Sequence, residues 1–183
     1  MSNHQYIPEY ERITDDPIFD GPPREAHEYR YHVAARYTKD SDVVLDAACG
    51  SAFGKRILKG EYIGVDRWPD KADIVVDLEI WEPDFEYDVF VSMETIEHLF
   101  DYSTHVKNAK KAKRIIAVSA PVVPTVVYNA DGTPNLANYH VHNFTMTELK
   151  SLFEDNDWEI IHEEIQTLGD HGIIILQKNG KIL

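Results

Sequence analysis

The chain of 183 residues holds a single cysteine, Cys49, so no disulfide can form within it. The fold must then rest on its apolar core, and a reducing compartment is expected. No apolar run approaches the roughly 18 residues that span a bilayer. Met1 to Tyr6 lack a basic segment followed by an apolar one, so a cytoplasmic protein without a membrane partner is the expectation. Positive charge is scarce too: 18 lysines and arginines stand against 32 aspartates and glutamates, a formal net charge of −14. A protein that grips nucleic acid must neutralise phosphates with a basic surface, so small or uncharged substrates are the better expectation. The one dense basic run, Lys107 to Arg114, has four lysines and an arginine and reads as the solvated face of a surface helix.

What is present reads as one domain behind a short arm. Residues 1–24 are polar and acidic, carry Pro8, Pro17, Pro22 and Pro23, and show no sustained period. They are expected to form a loose arm that can act as a lid, with residues 25–183 as the domain proper. Tyr29, Val33, Ala34 and Tyr37 fall at helical spacing and predict a helix over 24–37. Beyond it, strands are expected at 43–46, 62–66, 73–78, 87–93, 114–119, 158–164 and 172–177, and helices at about 53–59, 96–111 and 146–156. Stretches such as Val89-Phe90-Val91 and Ile173-Ile174-Ile175-Leu176 are apolar throughout, as suits a sheet covered on both faces. The alternation predicts a doubly wound α/β domain with a seven-stranded sheet. Ligands of such sheets bind at the carboxyl ends of the strands, here after Asp46, at Asp66, at Asp77 and after Met93.

The stretch Val43 to Gly54, VVLDAACGSAFG, runs from an apolar strand through Asp46 into small residues. Glycine is lacking at two places where such turns usually carry it, which hold Ala48 and Ala52, while Gly50 and Gly54 are kept. Together with YIGVD ending at Asp66, DIVVDL containing Asp77, and YDVFVSMETIEHL, this stretch resembles the class I S-adenosylmethionine-dependent methyltransferases. The resemblance covers roughly residues 25–178. It implies a compact Rossmann-like fold, methyltransferase activity and S-adenosyl-L-methionine as cofactor. Carried over by position, Ala48 and Gly50 let the backbone approach the cofactor, and Asp46 faces its sulfonium and amino end. Asp66 accepts from the ribose hydroxyls, Asp77 meets the adenine amino group, Leu78 offers apolar contact and a backbone amide, and Arg67 and Met93 complete the set. Only 11 positions separate Asp66 from Asp77, too few for strand, helix and strand, so the second crossover helix is expected to be absent or reduced to one turn around Pro69-Asp70-Lys71. Trp68 and Trp81 either stack on adenine or cover exposed core.

A second constellation follows the fourth strand in Met93-Glu94-Thr95-Ile96-Glu97-His98-Leu99. On a helix starting there, Glu94, Glu97 and His98 would share one face. Thr145 and Glu148 form a capping-box pattern, so His140 and His142 precede a helix, in a loop that follows Ser119-Ala120-Pro121 and overhangs the same edge. The pattern E-x-x-E-H with a later histidine is similar to two groups of methyltransferases, the O-methyltransferases of ubiquinone biosynthesis and the small-RNA 2′-O-methyltransferases. That likeness implies a divalent metal, Mg²⁺, Mn²⁺ or a later first-row ion, on Glu94, Glu97, His98 and His140, with His142 left out. Glu94, His98 and His140 are the candidate catalytic residues, and without metal either histidine could serve as general base. Arg30 and Tyr31 are candidates for the methionine end of the cofactor. The expected function is O-methylation of a small hydroxylated acceptor, bound by residues 122–143. The alternatives are RNA ribose 2′-O-methylation, which the charge opposes, and a non-catalytic binding protein of this fold, which the two alanines and the reduced crossover favour. Acceptor identity, oxygen or nitrogen as target, and oligomeric state are left open.

Overall fold

The computed structural model describes residues 21–123, 140–166 and 170–180, and the following concerns those residues. Pro22 and Pro23 open the first helix, α1 (Pro22–Ala35), where a missing N–H costs nothing because the first helical amides have no partner anyway. The helix therefore begins two residues before the expected arm ends. There follow β1 (Val43–Ala47), α2 (Phe53–Ile57), β2 (Glu61–Asp66), β3 (Ile74–Val75), β4 (Val89–Met93), α3 (Ser103–Lys111), β5 (Ile115–Pro121), α4 (Met146–Phe153), β6 (Trp158–Gln166) and β7 (His171–Lys178). The Thr145–Glu148 capping box starts α4, each side chain accepting from the other residue's backbone N–H.

The seven strands form one sheet in the order β3-β2-β1-β4-β5-β7-β6. All pairs are parallel except those of β7, which runs against both β5 and β6. Alternate residues of the central strands enter different cores, as the period-2 pleat requires. Leu45, Phe90, Ile116, Val118, Ile174 and Leu176 pack with Leu149 and Phe153 of α4 on one face. Val44, Val89, Val91, Ile115, Ile173 and Ile175 pack with Tyr31 and Phe53 on the other. Strand order reverses between β1 and β4, which opens a crevice at their carboxyl ends.

Two elements depart from expectation. The third strand shrinks from 73–78 to two residues; just before it Asp73 pairs with Gly64, its N donating to Gly64 O and its side-chain Oδ2 accepting from Gly64 N, each at 2.8 Å. No helix lies between β2 and β3, as the spacing of Asp66 and Asp77 predicts. The helix expected over 96–111 is broken into a 3-10 turn, Ile96–His98, and α3. Leu99 is extended, and Asp101 Oδ1 accepts from Ser103 N at 2.8 Å, a local turn that starts a new helix. The basic run lies along α3 and just beyond it with its charges matched: Lys107 and Lys111 to Glu82, Lys110 to Asp155, Lys113 to Glu86 and Arg114 to Asp42. No helix among the described residues is long and apolar enough to cross a membrane.

Candidate cofactor and active site

The turn after β1 is built from residues with alternating left-handed backbone. Ala48 has φ 68°, Gly50 φ 54° and Ala52 φ 56°. An L-alanine in this region costs about 1–2 kcal/mol, so neighbouring hydrogen bonds must hold it there. Ala48 N and Cys49 N both donate to Val65 O, at 2.8 and 3.0 Å, and Ala52 N donates to Cys49 O at 2.8 Å. Gly50 N donates to Asp66 Oδ2 at 2.8 Å, and Trp68 N donates to Asp66 Oδ1 at 2.9 Å. Asp66 thus ties the tip of β2 to the turn. Replacing Ala52 by glycine should relieve strain at a smaller cost in chain entropy, a net gain of about 0.5–1 kcal/mol. Denaturant unfolding checks this, and a loss of stability would show that the alanine methyl contributes packing that outweighs its backbone.

Above the turn, at the carboxyl edge of the sheet, lies a cavity of about 730 Å³. The tips of β2 and β3 line it with Asp66, Arg67, Trp68, Asp77 and Leu78, and the turn adds Ala48 and Gly50. Of the two tryptophans, Trp68 faces this cavity, whereas Trp81 packs against the core beside Phe85, its carbonyl accepting from Asn108 Nδ2 at 2.7 Å. Asp46 is placed differently from expectation: it is fully buried and does not line the cavity. Tyr62 Oη donates to its Oδ2 at 2.7 Å and Tyr31 Oη to its Oδ1 at 3.2 Å. Tyr31 is thereby committed to Asp46, with 1% of its surface exposed, and is not a cavity residue either.

The other half of the cavity carries most of its charge. Glu94, next to Met93 at the end of β4, stands at φ 54° and so cannot begin a helix; it shares no helical face with Glu97 and His98. Its Oε1 accepts from Ser119 Oγ at 2.7 Å and lies 3.6 Å from Arg30 Nε, while its Oε2 lies 2.7 Å from His171 Nε2. Burial raises the Glu94 pKa, but His171, Arg30 and Ser119 together bring it below the usual carboxylate value. Glu97 differs: burial and the nearby Glu94 charge push its pKa well up, and its Oε2 is buried without a hydrogen-bond partner. Glu97, His98 and His140 each offer a ligand atom within 4.8 Å of the other two, a group that excludes Glu94. His140 arrives there because Val141 N and His142 N both donate to Glu97 O, at 2.8 and 3.2 Å. Burial, then the neighbouring His98, lowers the His140 pKa and keeps it neutral. His142 turns away, its Nε2 3.0 Å from Leu99 O and its ring against Tyr102.

Arg30, 3% exposed on α1, lines the same half, with His27 beside it. His27 is driven down to about pKa 4 by burial and by Arg30. Sequence reasoning missed His27 and His171. The signal for His171 is topological: only a strand running against its neighbours starts, rather than ends, at the edge where the others place their carboxyl ends. Ala48, Ala52, Glu94 and Asp170 are the described non-glycine residues at positive φ, and all lie on the cavity wall or within two residues of it. Backbone strain of this kind concentrates at functional sites. The arm residues 1–20 and most of the expected acceptor segment, 124–139, lie outside the described residues.

No family model and no curated protein matches the sequence. Solved structures do match in fold. A chain of the complex between the Haloferax volcanii Trm112 methyltransferase activator and a methyltransferase aligns with TM-score 0.59 at 13% identity, covering 92% of this chain and 99% of that one. An S-adenosylmethionine-dependent methyltransferase from Mesorhizobium loti gives TM-score 0.61 at 12% identity over 85% and 99%. The N-methyltransferase NodS from Bradyrhizobium japonicum, in complex with S-adenosyl-L-homocysteine, gives 0.60 at 14% over 94% and 96%. Strand order, the turn after β1 and these likenesses agree: the chain has the Rossmann-like α/β fold of the class I S-adenosylmethionine-dependent methyltransferases.

Proposed function

We propose that the chain is a cytoplasmic S-adenosylmethionine-dependent methyltransferase that acts on an oxygen of a small hydroxylated acceptor, assisted by a divalent cation. One observation carries the reading: the small-residue turn, the Asp66 carboxylate and the Asp77-Leu78 segment converge on one cavity where strand order reverses. The cavity lies within the range of about 300–1,000 Å³ usual for small-molecule sites. NodS, of the same fold, is solved with S-adenosyl-L-homocysteine, which agrees with the cofactor proposed here.

The residues present fit that cofactor. A Cβ built on Gly50 would meet nothing within 4 Å, so the turn is open above. The Asp66 oxygens keep lone pairs beyond the two N–H groups they accept and would take the ribose hydroxyls. Asp77 and Leu78 would hold the adenine. Arg30 Nε is buried without a hydrogen-bond partner, and the guanidinium would pair with the methionine carboxylate. When bound, S-adenosylmethionine supplies a methyl group on a positively charged sulfur. The chain's own part is to align the acceptor oxygen in line with that methyl and to receive the proton the oxygen gives up.

Glu97, His98 and His140 fit a divalent cation, since a ligand atom from each lies within 4.8 Å of the other two, and the Glu97 carboxylate keeps one buried oxygen without a hydrogen-bond partner. A cation there would supply a Lewis acid for the acceptor oxygen. Glu97 holds its proton more tightly than a free carboxylate does, so loading displaces a proton and tightens as pH rises. Without a cation, neutral His140 is available as a general base. Loss of a mere outer partner of a metal ligand costs about 10–100-fold in affinity, so His140→Ala should weaken Mn²⁺ binding at least about tenfold. Unchanged Mn²⁺ affinity would remove His140 from the ligand set.

An RNA acceptor is opposed by the matched charges of Lys107, Lys110, Lys111 and Lys113, which leave no basic stripe on α3. Against a non-catalytic binding protein of this fold stands the backbone of Ala48 and Ala52, both left-handed as the turn requires, while the missing crossover helix still speaks for it. Titration calorimetry with S-adenosylmethionine tests the reading: binding in the micromolar range is expected, and no heat at millimolar cofactor would overturn it.

A further inference from the structure

Beneath the cofactor turn lies a carboxylate that does not reach the cavity. Asp46, at the carboxyl end of β1, has both oxygens occupied by phenols, Tyr62 from β2 and Tyr31 from α1. Tyr62 packs on the face of the sheet that carries α1 and α2, where a helix between β2 and β3 would lie. That helix is absent, and the Tyr62 ring is covered instead by Lys55 Nζ, 5.9 Å from its centroid, which in turn lies 3.4 Å from Asp73 Oδ1. The cluster has no slack. A Cβ added to Gly54 would stand 2.5 Å from Asp46 Oδ2, and one added to Gly64 would stand 2.9 Å from the Tyr62 ring.

We propose that Tyr62 is a positioning residue for the cofactor: with Tyr31 it favours the ionised form of Asp46, a counter-charge below the turn that attracts a sulfonium cation through the protein rather than by contact. The inference rests on the methyltransferase reading given above. Titratable groups facing Asp46 are Tyr31 from α1, Tyr62 and Asp66 from β2, and Cys49 from the turn. The nearby Phe53 and Gly54 of α2, and Val91 paired with it in β4, do not titrate. Burial raises the Asp46 pKa, the hydrogen bonds from Tyr62 and Tyr31 hold it back, and Asp66 pushes it up again, leaving it at about 7. A cation in the cleft favours the ionised form. S-adenosylmethionine binding should therefore release a proton and tighten as pH rises through about 7. S-adenosylhomocysteine lacks the sulfonium charge and should respond less.

The test is calorimetry of both compounds between about pH 6 and pH 9, with the wild type, Tyr62→Phe and Asp46→Asn. Losing a hydrogen bond to a charged group should weaken S-adenosylmethionine binding by Tyr62→Phe about tenfold near neutral pH and move the tightening to higher pH, because one group that holds the Asp46 pKa down is gone. Asp46→Asn should abolish the pH dependence of the preference for S-adenosylmethionine over S-adenosylhomocysteine. Equal weakening of both ligands by Tyr62→Phe, with an unmoved pH profile, would assign Tyr62 to packing alone and overturn the proposal. Unchanged affinity would do the same. If Tyr62→Phe does not fold, Asp46→Asn decides, since a pH-dependent preference surviving in it overturns the counter-charge. Wild-type protein that binds neither ligand at any pH would instead overturn the methyltransferase reading, and this inference with it.

Discussion

Replacing Asp66 by alanine is expected to weaken S-adenosylmethionine binding by at least about 100-fold, the largest effect of any single side chain on the cofactor half of the cavity. The carboxylate is only 6% exposed and accepts two backbone N–H groups, Gly50 from the turn and Trp68 from the segment after β2. Hydrogen bonds to a charged acceptor are each worth about 1.5–3 kcal/mol, and their loss leaves two donors without a partner beside a turn already carrying two left-handed alanines. The ribose contacts proposed for Asp66 would be lost as well. Asp66→Asn should fall between the wild type and alanine, because it keeps one carbonyl oxygen but turns an NH₂ group toward a donor. Calorimetry separates the three, and wild-type affinity in Asp66→Ala would show that the turn holds its shape without β2.

Arg30→Met should lower folding stability by about 2–4 kcal/mol, because removing one member of a buried ion pair leaves the other charge uncompensated. Methionine keeps much of the side-chain volume, so the loss reports charge more than packing. Glu94 keeps Ser119 and His171 as partners, and Arg30 stands 3.6 Å away, which places the expected cost below that of a directly bonded pair. For a domain of this size the loss corresponds to a fall in melting temperature of about 5–15 °C. The pH dependence has a definite sign. The Glu94 pKa is depressed in the folded chain, so its charge contributes stability above the pKa of an unfolded glutamate and loses it as pH falls. Arg30 is one cause of that depression. The gap between wild type and Arg30→Met should therefore be widest at neutral pH and close only as pH falls below the ordinary glutamate range, where Glu94 takes up its proton and needs no counter-charge. A gap that stays constant with pH would show that packing, not charge, accounts for the loss.

Much of the cavity's lining was legible in the sequence. Ala48, Gly50, Asp66, Arg67, Asp77, Leu78 and Met93 all line the cavity, because an apolar run ending in a polar residue marks a strand's carboxyl end. Asp46 obeys the same rule yet lies inward, since strand pleat alone does not say which neighbours fill the space beside a side chain; here Tyr31 and Tyr62 do. The metal-type cluster was only partly legible. Three of its residues do come together, but the helix expected to present Glu94 with Glu97 and His98 does not form, because Glu94 takes a left-handed conformation.

The sequence by itself determined the local physics: which segments become strands, that both sheet faces are covered, that the second crossover has room for one helical turn at most, and that small residues follow β1. Periodicity, chain length and residue size act over a few positions and need no knowledge of the rest of the molecule. Only the tertiary structure decided which of the many charged groups meet. It set Glu94 against Arg30, Ser119 and His171, and His140 against Glu97 and His98. Those meetings depend on β7 running against its neighbours and on a loop tied down through the Glu97 carbonyl, and both bring together residues more than 40 positions apart.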